Sequence, residues 1–139
     1  MALLAFLRVP CMLASAWCGE DTRPPSYSLD VAPILAAKCF TCHGPDESSR
    51  KAGLRLDRRE DALRAEEGLS AAIVPGAPDE SELLRRVLST DEDERMPPAD
   101  GHEALTTQEV ATLRAWIEAG APYERHWSCL LYTSPSPRD

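Results

Sequence analysis

Residues 30–46 read DVAPILAAKCFTCHGPD. Val31, Ile34 and Leu35 fall on one face at helical spacing, which predicts a helix over 31–39. Asp30 stands where a cap is wanted. Pro33 falls in the first turn, where its missing N–H has no helical partner to lose. That helix would deliver Cys39 at its C-terminal end. The five residues that begin there are Cys39-Phe40-Thr41-Cys42-His43.

A C-x-x-C-H run in an exported chain reads as a site of c-type haem attachment. Two thiols three positions apart can each add to one vinyl group on the same porphyrin edge. The thioether bonds fix the macrocycle against the backbone, and His43, next in sequence, projects its imidazole toward the iron. With five Cys and three His in 139 residues, chance gives roughly 0.004 occurrences of the motif. Two other uses of the cysteines compete. A thioredoxin-like dithiol also uses C-x-x-C, but in a strand-rich βαβ setting that this sequence lacks. A structural zinc site needs four ligands, and beyond this motif only His102 and His126 offer themselves, with no second paired cluster.

A proximal histidine leaves one axial position. Met96 is the leading candidate: it lies in a loop, 53 residues after His43, and is followed by Pro97 and Pro98, which bias the backbone toward extended geometry and remove two donors. The plainer reading makes it a loop methionine packed on something apolar. His102 is the alternative ligand, giving bis-histidine iron, although a single loop histidine is more often simply solvated.

The net charge of −8, from 15 basic and 23 acidic residues, argues against nucleic acid as a partner. Residues 1–16, MALLAFLRVPCMLASA, form an apolar run ending in Ala14-Ser15-Ala16, which predicts a signal peptide cleaved after Ala16 and hence a periplasmic or cell-envelope location. No apolar stretch after it is long enough to span a membrane. Residues 17–28 read as a polar linker. Cys11 and Cys18 lie in or beside the leader and Cys129 in an odd tail, so the cysteines do not form a disulfide framework. The folded part then comprises about 100 residues, a size with a thin core that an apolar cofactor would strengthen.

Four helices are expected, giving an all-α domain. After the first, residues 51–56 look extended. A second helix is predicted over 58–67, with Asp57 and Glu60 at capping-box spacing and Gly68 as its stop. A third spans 80–88, with Leu83, Leu84, Val87 and Leu88 on one face. An acidic loop, 91–94, leads into Met96. The last helix begins at a Thr106-x-x-Glu109 capping box, runs to Ala119 and stops at Gly120, with Val110, Leu113, Trp116 and Ile117 as its apolar stripe. Trp116 and Ile117 read most simply as core.

Five blocks in order resemble the planctomycete-type cytochrome c domain: DVAPILAAKCFTCHGPD (30–46), RKAGLRLDRREDAL (50–63), IVPGAPDESELLRRV (73–87), DERMPP (93–98) and LTTQEVATLRAWIEAGAPYERHW (105–127). The resemblance covers residues 29–127. It implies a small helical cytochrome c-like domain wrapped around one covalently attached haem c, with Cys39 and Cys42 as thioether positions, His43 as proximal ligand and Met96 as distal ligand. It also implies a domain that usually opens a longer exported protein. Residues 128–139, SCLLYTSPSPRD, depart from the family pattern and read as a non-homologous tail, artefactual or disordered.

Met/His ligation occupies both axial sites and favours electron transfer over substrate chemistry. The expected role is therefore an electron-transfer domain, not an enzyme, working with a redox partner protein or with downstream domains of the same protein. The competing roles are a five-coordinate haem sensor or enzyme, in which Met96 dissociates, and a structural haem domain of a larger exported protein.

Overall fold

The computed structural model describes residues 23–65, 70–100 and 102–124. The expected signal peptide 1–16, residues 17–22 of the expected linker, Gly68, His126 and the tail 128–139 lie outside the described residues, as do Cys11, Cys18 and Cys129. Among the described residues the chain is helical and carries no strand, so the all-α reading holds.

The N-terminal helical segment starts earlier than its apolar spacing suggests. A π-helical turn, Tyr27–Val31, leads directly into α1, Ala32–Lys38, with Pro33 in the first turn of α1. Asp30 consequently sits inside the turn and does not cap α1. Its carboxylate accepts from the Ser26 N–H at 2.8 Å and pairs with Arg23 at 3.1 Å. The helix breaks at Cys39, whose φ of −127° departs from helical geometry, and a second short helix, α2, Phe40–His43, follows. That break yields five α-helices among the described residues where the sequence suggests four.

Residues 51–56 are not an extended strand. Ala52 and Gly53 adopt φ of 50° and 65°, which reverses the chain. The Lys51 N–H donates to the Cys42 carbonyl at 2.7 Å and the Leu56 N–H to the His43 carbonyl at 2.9 Å. The segment thus wraps back on α2 and supplies partners to carbonyls that a helix end leaves free.

Helix α3 is short, Arg59–Ala62. Asp57 does not cap it, because Arg55 claims the carboxylate through two hydrogen bonds of 3.1 and 2.5 Å. A 3-10 turn, Pro78–Glu80, precedes α4, Glu82–Val87. Ser81 lies between them fully buried, and its hydroxyl accepts from the Val74 N–H at 2.9 Å and donates to the Ala77 carbonyl at 3.0 Å.

Helix α5, Thr107–Glu118, begins as its sequence predicts. The Thr106 hydroxyl accepts from the Glu109 N–H at 3.2 Å, and the Glu109 carboxylate accepts from the Thr106 N–H at 2.7 Å. Gly120, with φ of 96°, ends it in the left-handed conformation that glycine adopts without a Cβ penalty.

The core draws on α1, α3, α4, α5, the N-terminal turn and the connecting segments: Val31 and Leu35, Leu56, Ala62, Ile73, Leu83 and Leu84, and Leu113, Trp116 and Ile117. Each buried Leu or Ile contributes about 1.5–3 kcal/mol relative to exposure. Trp116 is fully buried in a ring cluster with Tyr27 (centroids 5.8 Å apart) and Tyr123 (5.1 Å), and its indole N–H donates to the Pro122 carbonyl at 3.2 Å. This fixes α5 against the N-terminal turn, so that α1 is held rigidly as it enters the C-x-x-C-H segment.

Candidate functional site

Helix α2 exists to display three side chains. Cys39 begins the turn, and its carbonyl accepts from the N–H groups of both Cys42 (3.1 Å) and His43 (2.8 Å). Residues three and four apart on a helical turn are neighbours, so the two thiols and the imidazole emerge close together. Both cysteines are half-buried free thiols. Burial pushes the Cys39 thiol up to about 11. It is therefore protonated at neutral pH, the opposite of a dithiol oxidoreductase, whose attacking thiol is depressed. Among the described residues no three His, Cys, Asp or Glu side chains converge on a metal-sized space.

The His43 imidazole is held below its ordinary value, first by burial and then by the positive charge of Arg86; the Lys51 carbonyl acts in the opposite direction. The neutral form is thus favoured, which is the form that binds a metal. Nδ1 is buried and has no hydrogen bond of good geometry, although the Lys51 carbonyl stands near the ring. A metal-ligating histidine almost always donates its second ring nitrogen to such an acceptor.

The residue after His43 must be glycine for reasons of space. A Cβ on Gly44 would stand 2.3 Å from the Phe40 carbonyl oxygen and 2.9 Å from the Phe40 Cα. The backbone passes this close because the chain turns sharply out of α2 into the segment that returns beneath His43.

Met96 lies on the loop after α4 and is half-buried, with Pro97 behind it fully packed. Its N–H donates to the Arg86 carbonyl at 3.1 Å, and two residues earlier Glu94 pairs with Arg85 at 2.6 Å. Glu94 is thus an anchor, whereas Asp91, Glu92 and Asp93 are solvent-exposed as an acidic loop should be. A cavity of about 230 Å³ lies between this loop and the end of α1, lined by Ala37, Lys38, Pro97, His102 and Glu103. Lys38 and Glu103 pair across it at 2.5 Å. The residue before Cys39 and the residue after Met96 therefore border the same space. His102 is exposed at its rim.

Sequence reasoning misses several residues here. Arg86 acts on His43 from α4, far away in the chain, Lys51 does so from the turn that folds back on α2, and Lys38 and Glu103 meet only in the folded state. None carries a local motif. Trp116, by contrast, belongs to the aromatic core and not to this cavity.

The residues present supply the donor set a haem needs, two thiols on one helical turn, an imidazole favoured in its neutral form and a loop methionine, while the cavity itself is lined by their neighbours Lys38 and Pro97 and by none of these four. Residues 39–100 match the family described as Planctomycete cytochrome C, a span that opens on Cys39 and closes just past the methionine loop. No curated protein and no solved structure matches the chain.

Proposed function

With residues 39–100 belonging to the planctomycete cytochrome c family, we propose that this chain is a mono-haem electron-transfer domain. Membership of a cytochrome c family implies covalently bound haem c. When bound, the haem supplies one-electron exchange between ferric and ferrous iron. The chain's own residues do the rest. Cys39 and Cys42 would hold the porphyrin edge, and His43, whose neutral form is favoured by burial and the nearby Arg86 charge, would hold the iron. Met96 would be the second residue to hold it. The observation that carries this reading is the helical turn from Cys39 to His43, closed by the Cys39 carbonyl, which accepts from the Cys42 and His43 backbone N–H groups.

The same reading includes export, with residues 1–16 removed, because covalent haem attachment by maturation machinery belongs outside the cytoplasm. No helix among the described residues is long and apolar enough to cross a membrane. The acidic domain suits a redox partner with a basic surface, or a downstream domain of the same protein.

The test is expression in a periplasm that contains haem-maturation machinery, followed by spectroscopy in alkaline pyridine. A c-type haemochrome whose colour resists acid-acetone extraction is the expected outcome; an exported, colourless protein would overturn the reading. The weak far-red charge-transfer band of a methionine–iron(III) bond is expected in the native oxidised form and lost in Met96→Ala. A second reading, with His102 as distal ligand, has one observation behind it, its place at the rim of the cavity beside Pro97. It predicts no such band in the parent protein and a change of spin state in His102→Ala.

A further inference from the structure

Among the described residues two buried side-chain polar atoms lack a hydrogen-bond partner, His43 Nδ1 and Arg95 Nε. The first belongs to the proximal histidine. The second immediately precedes Met96. Arg95 follows four carboxylates in sequence, Asp91, Glu92, Asp93 and Glu94, yet forms an ion pair with none of them. Glu94 pairs with Arg85, and Asp91 accepts from the backbone N–H of Asp93 at 3.0 Å. Arg85 and Arg86 in turn share Glu82 at 2.7 Å.

The backbone fixes where Arg95 stands. Its N–H donates to the Asp91 carbonyl at 2.9 Å, and the next N–H, that of Met96, donates to the Arg86 carbonyl at 3.1 Å. The turn is therefore closed on both sides of the residue, and the Nε lies inside the protein surface. An arginine cannot discard its charge by losing a proton. A buried guanidinium nitrogen without an acceptor is costly, and the group that best satisfies it is a carboxylate, which matches the guanidinium fork through two parallel hydrogen bonds. Among the described residues no carboxylate meets it. Haem carries two, on its propionate side chains.

We propose that Arg95 binds a haem propionate and, by neutralising its charge, holds the reduction potential up. This inference rests on the haem reading above. Arg95 is a binding and positioning residue, distinct from the axial ligand beside it. Removing its charge leaves an anion near the iron uncompensated, which favours the ferric state.

The experiment compares the parent holoprotein with Arg95→Gln and Arg95→Lys, all matured with haem in a periplasm. Haem content is read from the pyridine spectrum, methionine ligation from the far-red band, and the midpoint potential by spectroelectrochemistry. The expected result is full haem content and a retained far-red band in both variants. Arg95→Gln should shift the ferric/ferrous balance about tenfold toward ferric, ~59 mV for one electron. Arg95→Lys, which keeps the charge and loses only the fork, should shift it less. Potentials equal to the parent in both variants would overturn the proposal, as would a fall that appears only together with loss of the far-red band. A parent protein without haem would instead sink the family-level reading, so the two failures are separable.

Discussion

The Met96 N–H donates to the Arg86 carbonyl at 3.1 Å, while the Arg86 side chain bears on the His43 imidazole electrostatically. One residue at the end of α4 thus connects both candidate axial ligands, which are 53 positions apart in sequence. The methionine loop has few other restraints. Its second tether is the Glu94–Arg85 pair at 2.6 Å, with both side chains 47% exposed.

Cutting that tether should loosen the loop without unfolding the domain. An exposed pair of this kind is worth about 0.2–1 kcal/mol. In Glu94→Gln, exogenous imidazole should therefore displace Met96 from ferric iron with an affinity about two- to fivefold higher than in the parent. Optical titration at fixed ionic strength reads this directly. An unchanged affinity would show that the loop is held by its backbone contact and Pro97 alone.

Local chemistry was legible in the sequence wherever it stayed local. Thr106 and Glu109 cap α5 as a pair because both partners lie within one turn. The C-x-x-C-H segment was legible for the same reason. Asp30, Asp57 and Ser81 all have capping chemistry or stand at cap positions, but each side chain is drawn elsewhere: to Ser26 and Arg23, to Arg55, and to Val74 and Ala77. Propensity cannot rank such competitors, since the winner depends on tertiary placement. Residues 51–56 do not run extended for a related reason. Their best hydrogen-bond acceptors are the carbonyls of α2, which only the folded chain brings within reach.

The Glu82 hub gives an acid-stability prediction. Its carboxylate is lowered to about 2, chiefly by hydrogen bonds from Arg85 and, after the opposing effect of burial, from Arg86. A depressed carboxylate contributes stability that is fully present above its ordinary value of 4.5 and is lost as the pH falls through about 2. Because the hub is partly exposed, solvent screening reduces the contribution to about 1 kcal/mol. Urea unfolding should show the parent losing that increment between pH 5 and pH 2. Glu82→Gln should start lower at pH 7 and have a shallower slope across the window; parallel curves would rule the hub out as an acid-sensitive contact.

Gly44→Ala should disturb haem attachment through geometry alone. The added Cβ cannot stand 2.3 Å from the Phe40 carbonyl, so either the exit from α2 or His43 itself must move. Overpacking of this kind costs about 1–3 kcal/mol. We expect a lower yield of matured holoprotein and a weaker far-red band, since a displaced His43 alters the axial alignment. A variant with parental yield, spectrum and urea midpoint would mean that the Phe40 turn relaxes freely.

Trp116 separates core packing from haem contact. Its ring lies between Tyr27 and Tyr123, and its N–H bonds to the Pro122 carbonyl, all away from the cavity bordered by Pro97 and Lys38. Trp116→Phe keeps an aromatic ring but deletes that hydrogen bond and part of the buried area. The bond is worth about 0.5–1.5 kcal/mol, and the lost volume leaves a partial cavity, so a total loss of about 2 kcal/mol is expected in urea unfolding of the holoprotein. The midpoint potential and the far-red band should stay at parental values, because the substitution acts on the clamp between α5 and the N-terminal turn. If the potential moved while stability did not, Trp116 would have to be reassigned from the core to the wall of the haem site.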